Sequence, residues 1–247
     1  MPRYDFRSPR LFVDAPLGAG ALVPLAREQA HYLGNVLRLG AGDAVLAFNG
    51  RDGEWHATLA GGKKLSGLTV SEQTRTQPAA GDVYLLFAPL KHARLDYMVQ
   101  KAVELGASRL VPILTRHTQV ARVNLERMRA NAIEAAEQCG VLAVPDVAEP
   151  VAFSALAFGL ERLVVFCDEA ADVADPVTAL RAATNASMPP VAVVIGPEGG
   201  FTEEERAQLL RAPSVVRLAL GPRILRADTA AVAALTVVQA VLGDWRG

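Results

Sequence analysis

The chain is poor in the residues that mark metal centres and secreted scaffolds. It has two cysteines, Cys139 and Cys167, and four histidines, His31, His56, His92 and His117. Neither cysteine has a second cysteine or a histidine at metal-ligand spacing, so no metal site is expected. Both sit in apolar runs, where a free cysteine behaves as a small hydrophobe. There is no H-E-x-x-H, no G-x-S-x-G and no Ser/His/Asp ordering, which argues against a hydrolase. No apolar run approaches the ~20 residues that span a bilayer. The N-terminal MPRYDFRSPR lacks the apolar core of a signal peptide,. A cytoplasmic protein with no membrane partner is expected. Charge of one sign is lacking too. The formal net charge is −1, so composition alone announces no anionic partner,.

What is present is an ordinary globular composition, 51% hydrophobic and 21% charged over 247 residues. That length allows one large domain or two modest ones at roughly 100–200 residues each. Charge is uneven: Arg3, Arg7 and Arg10 face a lone Asp5 in the first ten residues, while Glu203, Glu204 and Glu205 stand in a row. A basic arm is compatible with nucleic acid but does not show it, and a solvated arm is the favoured reading.

The pattern changes near residue 75. Before it come short runs, Arg10–Val13, Ala21–Leu25, Ala44–Phe48, Glu54–Leu59 and Leu65–Val70, separated by Gly-rich turns. They predict a small barrel or sandwich. One helix interrupts them over Arg27–Leu39, with Gly40 as its stop,. Residues 74–81 (TRTQPAAG) read as a linker between residues 1–73 and 82–247,. Beyond it the predicted strands are Val83–Ala88, Arg109–Ile113, Leu163–Cys167, Val191–Ile195 and Val215–Leu220. The predicted helices are Ala93–Leu105, Leu125–Gln138, Pro176–Ala183, Glu203–Leu210 and Thr229–Leu242. Strands alternating with helices predict an α/β domain around a parallel sheet.

Two loops carry the chemistry. The strand 191–195 runs into Gly196-Pro197-Glu198-Gly199-Gly200-Phe201, and Thr202 with Glu205 forms a capping box,. Its glycines let backbone approach a ligand closely, and ligands of open α/β sheets bind at strand carboxyl ends. The second loop, Leu220-Gly221-Pro222-Arg223-Ile224-Leu225-Arg226-Ala227, again ends a strand in Gly-Pro. Its apolar pair suits a flat ring, and Arg226 suits a carboxylate or phosphate. Alone, the first loop equally fits a tight strand-to-helix turn and the second a surface loop with solvated arginines. Together they suggest one shared pocket. Lys91 and Arg94 open a helix beside its positive dipole, where cations need an anion, so a phosphate contact is plausible. Lys101 and Glu104 read as a surface pair, and Glu134, Glu137 and Gln138 share one side of a helix that Gly140 ends,.

These loops resemble the bacterial RsmE family, the 16S ribosomal RNA uridine N3-methyltransferases of the SPOUT class. The resemblance is carried by Ile195-Gly-Pro-Glu-Gly-Gly-Phe201 and by Leu220-Gly-Pro-Arg-Ile-Leu-Arg226-x-x-Thr-Ala230. Lys101-Ala-x-Glu-Leu-Gly106, Glu134-Ala-Ala-Glu-Gln-Cys-Gly140 and His31-x-x-x-Val-Leu-Arg38 support it. It implies a PUA-like β-barrel followed by a SPOUT methyltransferase domain, an α/β fold with a deep C-terminal trefoil knot around a parallel sheet. It also implies S-adenosylmethionine as cofactor, a homodimer, and 16S rRNA within the small ribosomal subunit as partner. The product would be 3-methyluridine in the decoding region.

The cofactor-binding set it implies is Phe166, Cys167, Ile195, Gly196, Pro197, Glu198, Gly199, Gly200, Leu220, Gly221, Ile224, Leu225 and Arg226. Arg226 is the first catalytic candidate and Glu198 a second, as a base. Arg3, Arg7, Arg10, Arg38, Lys91 and Arg94 are candidates for contacting RNA. The sequence departs from the family at Val141, usually Arg, and at Asp228, usually Glu. A non-enzymatic RNA-binding protein and a small-molecule α/β enzyme are the competing readings.

Overall fold

The computed structural model describes residues 8–62, 64–79, 81–120, 122–171, 175–184 and 189–246. Arg3 and Arg7 lie outside them. The chain divides into two units, residues 1–79 with 136–144, and residues 80–135 with 145–247. Among the described residues no helix is long and apolar enough to cross a membrane.

The first unit holds β1 (Arg10–Phe12), β2 (Leu22–Pro24), β3 (Ala44–Phe48), β4 (Glu54–Gly61) and β5 (Leu65–Arg75), in the sheet order β1-β3-β4-β5-β2. β1 and β3 are parallel and the other pairs antiparallel. The alternating apolar side chains Val45, Ala47, Ala57, Leu59, Leu68 and Val70 form its core with Leu11, Val23 and Leu33. β5 is longer than predicted. Its polar end, Ser71–Arg75, shows no apolar alternation, but the register Trp55↔Gln73 and Glu54↔Arg75 holds it in the sheet. The first two residues assigned to a linker are therefore strand.

The predicted helix over Arg27–Leu39 is also corrected. A short helix α1 (Arg27–His31) passes into a π-helical turn (Tyr32–Val36), and Arg38 takes the left-handed φ of 59°. Leu37 N–H reaches back to Tyr32 O at 3.0 Å and Leu39 N–H to Leu33 O at 2.9 Å, so the turn widens before it stops. Gly40 does not end it. Its N–H donates to Asp43 at 2.7 Å and opens the next turn.

The second unit is built on seven parallel strands. They are β6 (Val83–Phe87), β7 (Arg109–Leu114), β8 (Asp146–Val147), β9 (Val151–Ala152), β10 (Leu163–Cys167), β11 (Val191–Ile195) and β12 (Val215–Leu218). The order is β12-β10-β11-β6-β7-β8, with β9 also on β7. Val191–Ile195 is buried throughout, as a strand covered on both faces must be,. The helices are α2 (His92–Glu104), α3 (Leu125–Cys139), α4 (Pro176–Ala183), α5 (Glu203–Leu210) and α6 (Ala227–Val241). α4 starts on an Asp175 cap with Pro176 in its first turn,. α6 buries Ala231, Ala234, Leu235 and Val238 along one stripe,.

Two boundaries moved for physical reasons. β12 stops at Leu218, not Leu220, because its neighbour β10 ends at Cys167, the register partner of Leu218. Beyond that pair Ala219 and Leu220 have no ladder. The segment 136–144, read from sequence as part of the α/β region, groups with the first unit. Glu137 accepts from Phe12 N–H at 2.8 Å, and Arg75 donates to Gly140 O at 3.0 Å. Cys139, read as a small hydrophobe, is exposed.

Candidate functional site

In a parallel sheet the carboxyl ends of all strands lie along one edge. β10 stands between β11 and β12 in that sheet. The two Gly-Pro loops therefore end strands that are consecutive in the chain but separated in space by one strand. Between them lies a cavity of about 460 Å³, closed below by Cys167–Ala170 and on its flanks by both loops. Its size falls within the roughly 300–1,000 Å³ of small-molecule sites.

The first wall is Ile195–Glu198, Gly200 and Phe201. Gly200 N–H bonds Pro197 O at 2.9 Å, closing a tight turn, and Gly200 has a φ of 70°. Gly196 is glycine for another reason: a Cβ there would lie 2.7 Å from the Phe201 ring. That ring packs 5.5 Å from both Phe153 and Phe166 and anchors the loop in the core. The predicted capping box is present. Thr202 N–H donates to Glu205 at 2.9 Å, and Glu205 N–H to Thr202 Oγ1 at 3.2 Å. From the neighbouring segment His117 Nδ1 donates to Gly200 O at 3.0 Å, and Arg116 N–H to Glu205 at 2.8 Å.

The second wall is Leu218–Leu225, with Ala227 and Ala230 from α6. Gly221 has a φ of 94°, and apart from its chain neighbours no atom lies within 4 Å of the place a Cβ would take. α6 begins at Ala227, earlier than the expected Thr229, with Arg226 as its N-cap residue.

Of the predicted cofactor set, Cys167, Ile195 to Glu198, Gly200, Leu220, Gly221, Ile224 and Leu225 line the cavity. Phe166, Gly199 and Arg226 do not. Phe166 is fully buried behind the wall, and Arg226 is exposed with no ion pair among the described residues. Burial pushes the Cys167 thiol up to about 12, so it stays protonated and inert at neutral pH,.

The RNA-contact candidates separate sharply. Lys91 and Arg38 are exposed. Arg10 is not. Its side chain is 5% exposed and pairs with Glu54 at 3.0 Å, while Arg75 pairs with the same carboxylate at 2.6 Å. This is a structural ion pair in the first unit, and the phosphate contact expected of Arg10 is withdrawn. Arg94 already has its anions. It donates to Glu198, and its Nε reaches Asp228 Oδ2 at 3.1 Å. Glu198, expected as a free base, is therefore held by a guanidinium.

Sequence reasoning missed the cavity floor. Asp168 is buried and accepts from Arg206 at 2.8 Å, Arg217 at 2.9 Å and the Ala170 amide at 3.1 Å. Burial pushes its carboxyl up, but these three donors more than reverse that and hold it below its ordinary range,. The signal was available: an apolar strand ending in Cys-Asp-Glu puts acids at a carboxyl edge.

The family described as RNA methyltransferase domain matches residues 77–239, and that described as RNA methyltransferase PUA domain matches residues 25–67. Ribosomal RNA small subunit methyltransferase E of Rickettsia conorii is 30% identical over 232 residues, covering 93% of this chain and 94% of that protein. A Legionella pneumophila methyltransferase solved with bound SAM superposes with a TM-score of 0.81 at 30% identity, covering 96% of this chain and 99% of that one. Ribosomal RNA small subunit methyltransferase E of Neisseria gonorrhoeae, bound to S-adenosyl methionine, has a TM-score of 0.80 at 27% identity, with 97% and 100% covered.

Proposed function

The chain belongs to the ribosomal RNA small subunit methyltransferase E family of RNA methyltransferases, and on that premise we propose that it methylates N3 of one uridine in the decoding region of 16S rRNA, using S-adenosylmethionine. The observation that carries this reading is the cavity between the two Gly-Pro loops. The residues fit such a cofactor. The cavity leaves room for a bulky ligand, and the backbone of the two loops that line it brings polar groups to its edge,.

The cofactor supplies a methyl group already activated on a sulfonium. The protein's task is then alignment, holding donor and acceptor in line, which is worth more than added acid–base chemistry for such a step. Uridine N3 carries a proton that has to leave. We give Arg226 the role of contacting the target nucleotide and stabilising its deprotonated base; its exposure at the N-cap of α6, next to the second wall, supports that reading,. Lys91 and Arg38 serve as phosphate contacts. With Glu198 held by Arg94, its use as a base is the weaker part of the earlier expectation.

We read the loop from β12 into α6 as part of a deep trefoil knot, the first unit as a small barrel that grips RNA, and the working form as a cytoplasmic homodimer on the small subunit. Family membership supports each. The test is methyl transfer in vitro. Purified protein, S-adenosylmethionine and small subunits lacking the modification should yield 3-methyluridine at one position by mass mapping. Arg226→Ala should lower the rate by about a hundredfold or more, the scale of losing a charge-stabilising donor. No transfer to subunits or to naked 16S rRNA would refute the reading.

A further inference from the structure

Lys91 occupies the N-cap position of α2 without a side-chain capping bond, and Arg94 lies in the first turn, with no acidic residue there. A helix N-terminus carries about half a positive charge. A guanidinium held there needs an anion close by, and sequence alone suggested a phosphate. The structure supplies the anions from within the unit. Arg94 Nη1 donates to Glu198 Oε1, Nε donates to Asp228 Oδ2 at 3.1 Å, and Nη2 to Asp228 Oδ1 at 3.4 Å.

Glu198 belongs to the first wall of the cavity, and Asp228 stands in α6 between Ala227 and Ala230 of the second wall. Glu198 sits in the turn after β11, and Asp228 in the first turn of α6, two residues past Arg226. Side-chain exposure is 29% for Arg94 and 15% for Asp228, so the fork to Asp228 is partly sheltered from water. A fork of this kind needs a planar guanidinium; an ammonium makes only a point contact.

We infer that Arg94 is a positioning residue that ties the two loops of the cofactor cavity to each other and to α2. The inference rests on the proposed function for what the loops hold, but not for the tie itself. Asp228 is the bidentate end of this tie. The short stem reaches the guanidinium bidentately while its backbone stays in the first turn of α6. Because Asp228 follows Arg226 so closely, the tie also sets where Arg226 stands.

The experiment compares wild type, Arg94→Lys, Arg94→Ala and Asp228→Asn by three readouts. Amide hydrogen exchange should speed up in both 196–200 and 221–226 in every variant, with Arg94→Lys close to Arg94→Ala because charge without a fork does not restore the tie. S-adenosylmethionine affinity by calorimetry should fall at least about tenfold, since a misplacement of an ångström is enough to cost up to about a hundredfold in function. The slope of RNA affinity against salt should stay that of the wild type. Thermal melting of Arg94→Lys and Asp228→Asn verifies folding and keeps the test valid should Arg94→Ala unfold. Unchanged exchange in either loop would overturn the inference. So would a salt slope reduced by about one with cofactor affinity intact, the signature of a lost phosphate contact. If wild type binds no cofactor yet exchange rises in the variants, the proposed function fails and the tie stands.

Discussion

Around Glu54 in the first unit, two arginines meet one carboxylate. At the cavity of the second unit, one arginine meets two. The side chains of Arg10 and Glu54 are 5% and 3% exposed, whereas those of Arg94 and Glu198 are 29% and 43%. Both clusters join segments far apart in sequence, 44 residues for Arg10 and Glu54, and 104 and 134 for Arg94 and its partners. The first is sealed, so its charges can only serve the fold. The second is half open beside a cavity and at the root of two loops, so the same chemistry can set the shape of a site. Burial, more than residue type, separates a structural arginine from a functional one.

That contrast can be broken most severely at Glu54. Glu54→Ala leaves Arg10 buried without this carboxylate, and should cost about 3–5 kcal/mol of unfolding free energy in urea. Cofactor affinity measured well below the transition should not change. If affinity fell with stability, the two clusters would not be separable. Gly196→Ala tests the other side. Its Cβ would lie 2.7 Å from Phe201. Overpacking of this kind costs about 1–3 kcal/mol. Because Phe201 lines the cavity, cofactor affinity should fall as well, the opposite of the Glu54 result.

Acid sharpens the comparison. Burial pushes the Glu54 carboxyl up, but Arg75, Thr74 and Arg10 outweigh it and hold it below its ordinary 4.5. A depressed carboxyl contributes stability that is complete above the ordinary value and lost as pH falls through the lower folded one. Unfolding free energy should therefore drop with acid below about pH 4.5 in wild type, and less steeply in Glu54→Gln. Burial pushes the Asp228 carboxyl up, but Arg94 and the Thr229 amide outweigh it and hold it below its ordinary 3.8, so its contribution should begin to fall only below about pH 3.8,. The smallest effect belongs to Lys101→Ala. The exposed Lys101–Glu104 pair at 2.7 Å should contribute about 0.3–0.5 kcal/mol, measured in urea,.

Local rules read much of this from the sequence. Apolar runs such as Val191–Ile195 marked buried strands, Thr202 and Glu205 marked the start of α5, and Gly140 marked the end of α3. Each rests on neighbours a few residues away. The misses share one cause, which is that they depend on distant partners. Ser71–Arg75 is strand because β4 pairs with it, not because of its own pattern. Arg10 and Arg94 looked alike as basic residues until their carboxylates were placed. β10 came between two loops that were neighbours in the chain, and so brought Asp168 into the cavity floor. The loops themselves were legible because glycine and proline restrict the backbone locally. Who faces them was not.

The most direct test is a crystal structure of this chain grown with S-adenosylmethionine. The account predicts cofactor density in the cavity between Ile195–Phe201 and Leu218–Ala227, with Arg94 still bridging Glu198 and Asp228. Density at any other site, or Arg94 turned away from both carboxylates with the cofactor bound, would contradict it.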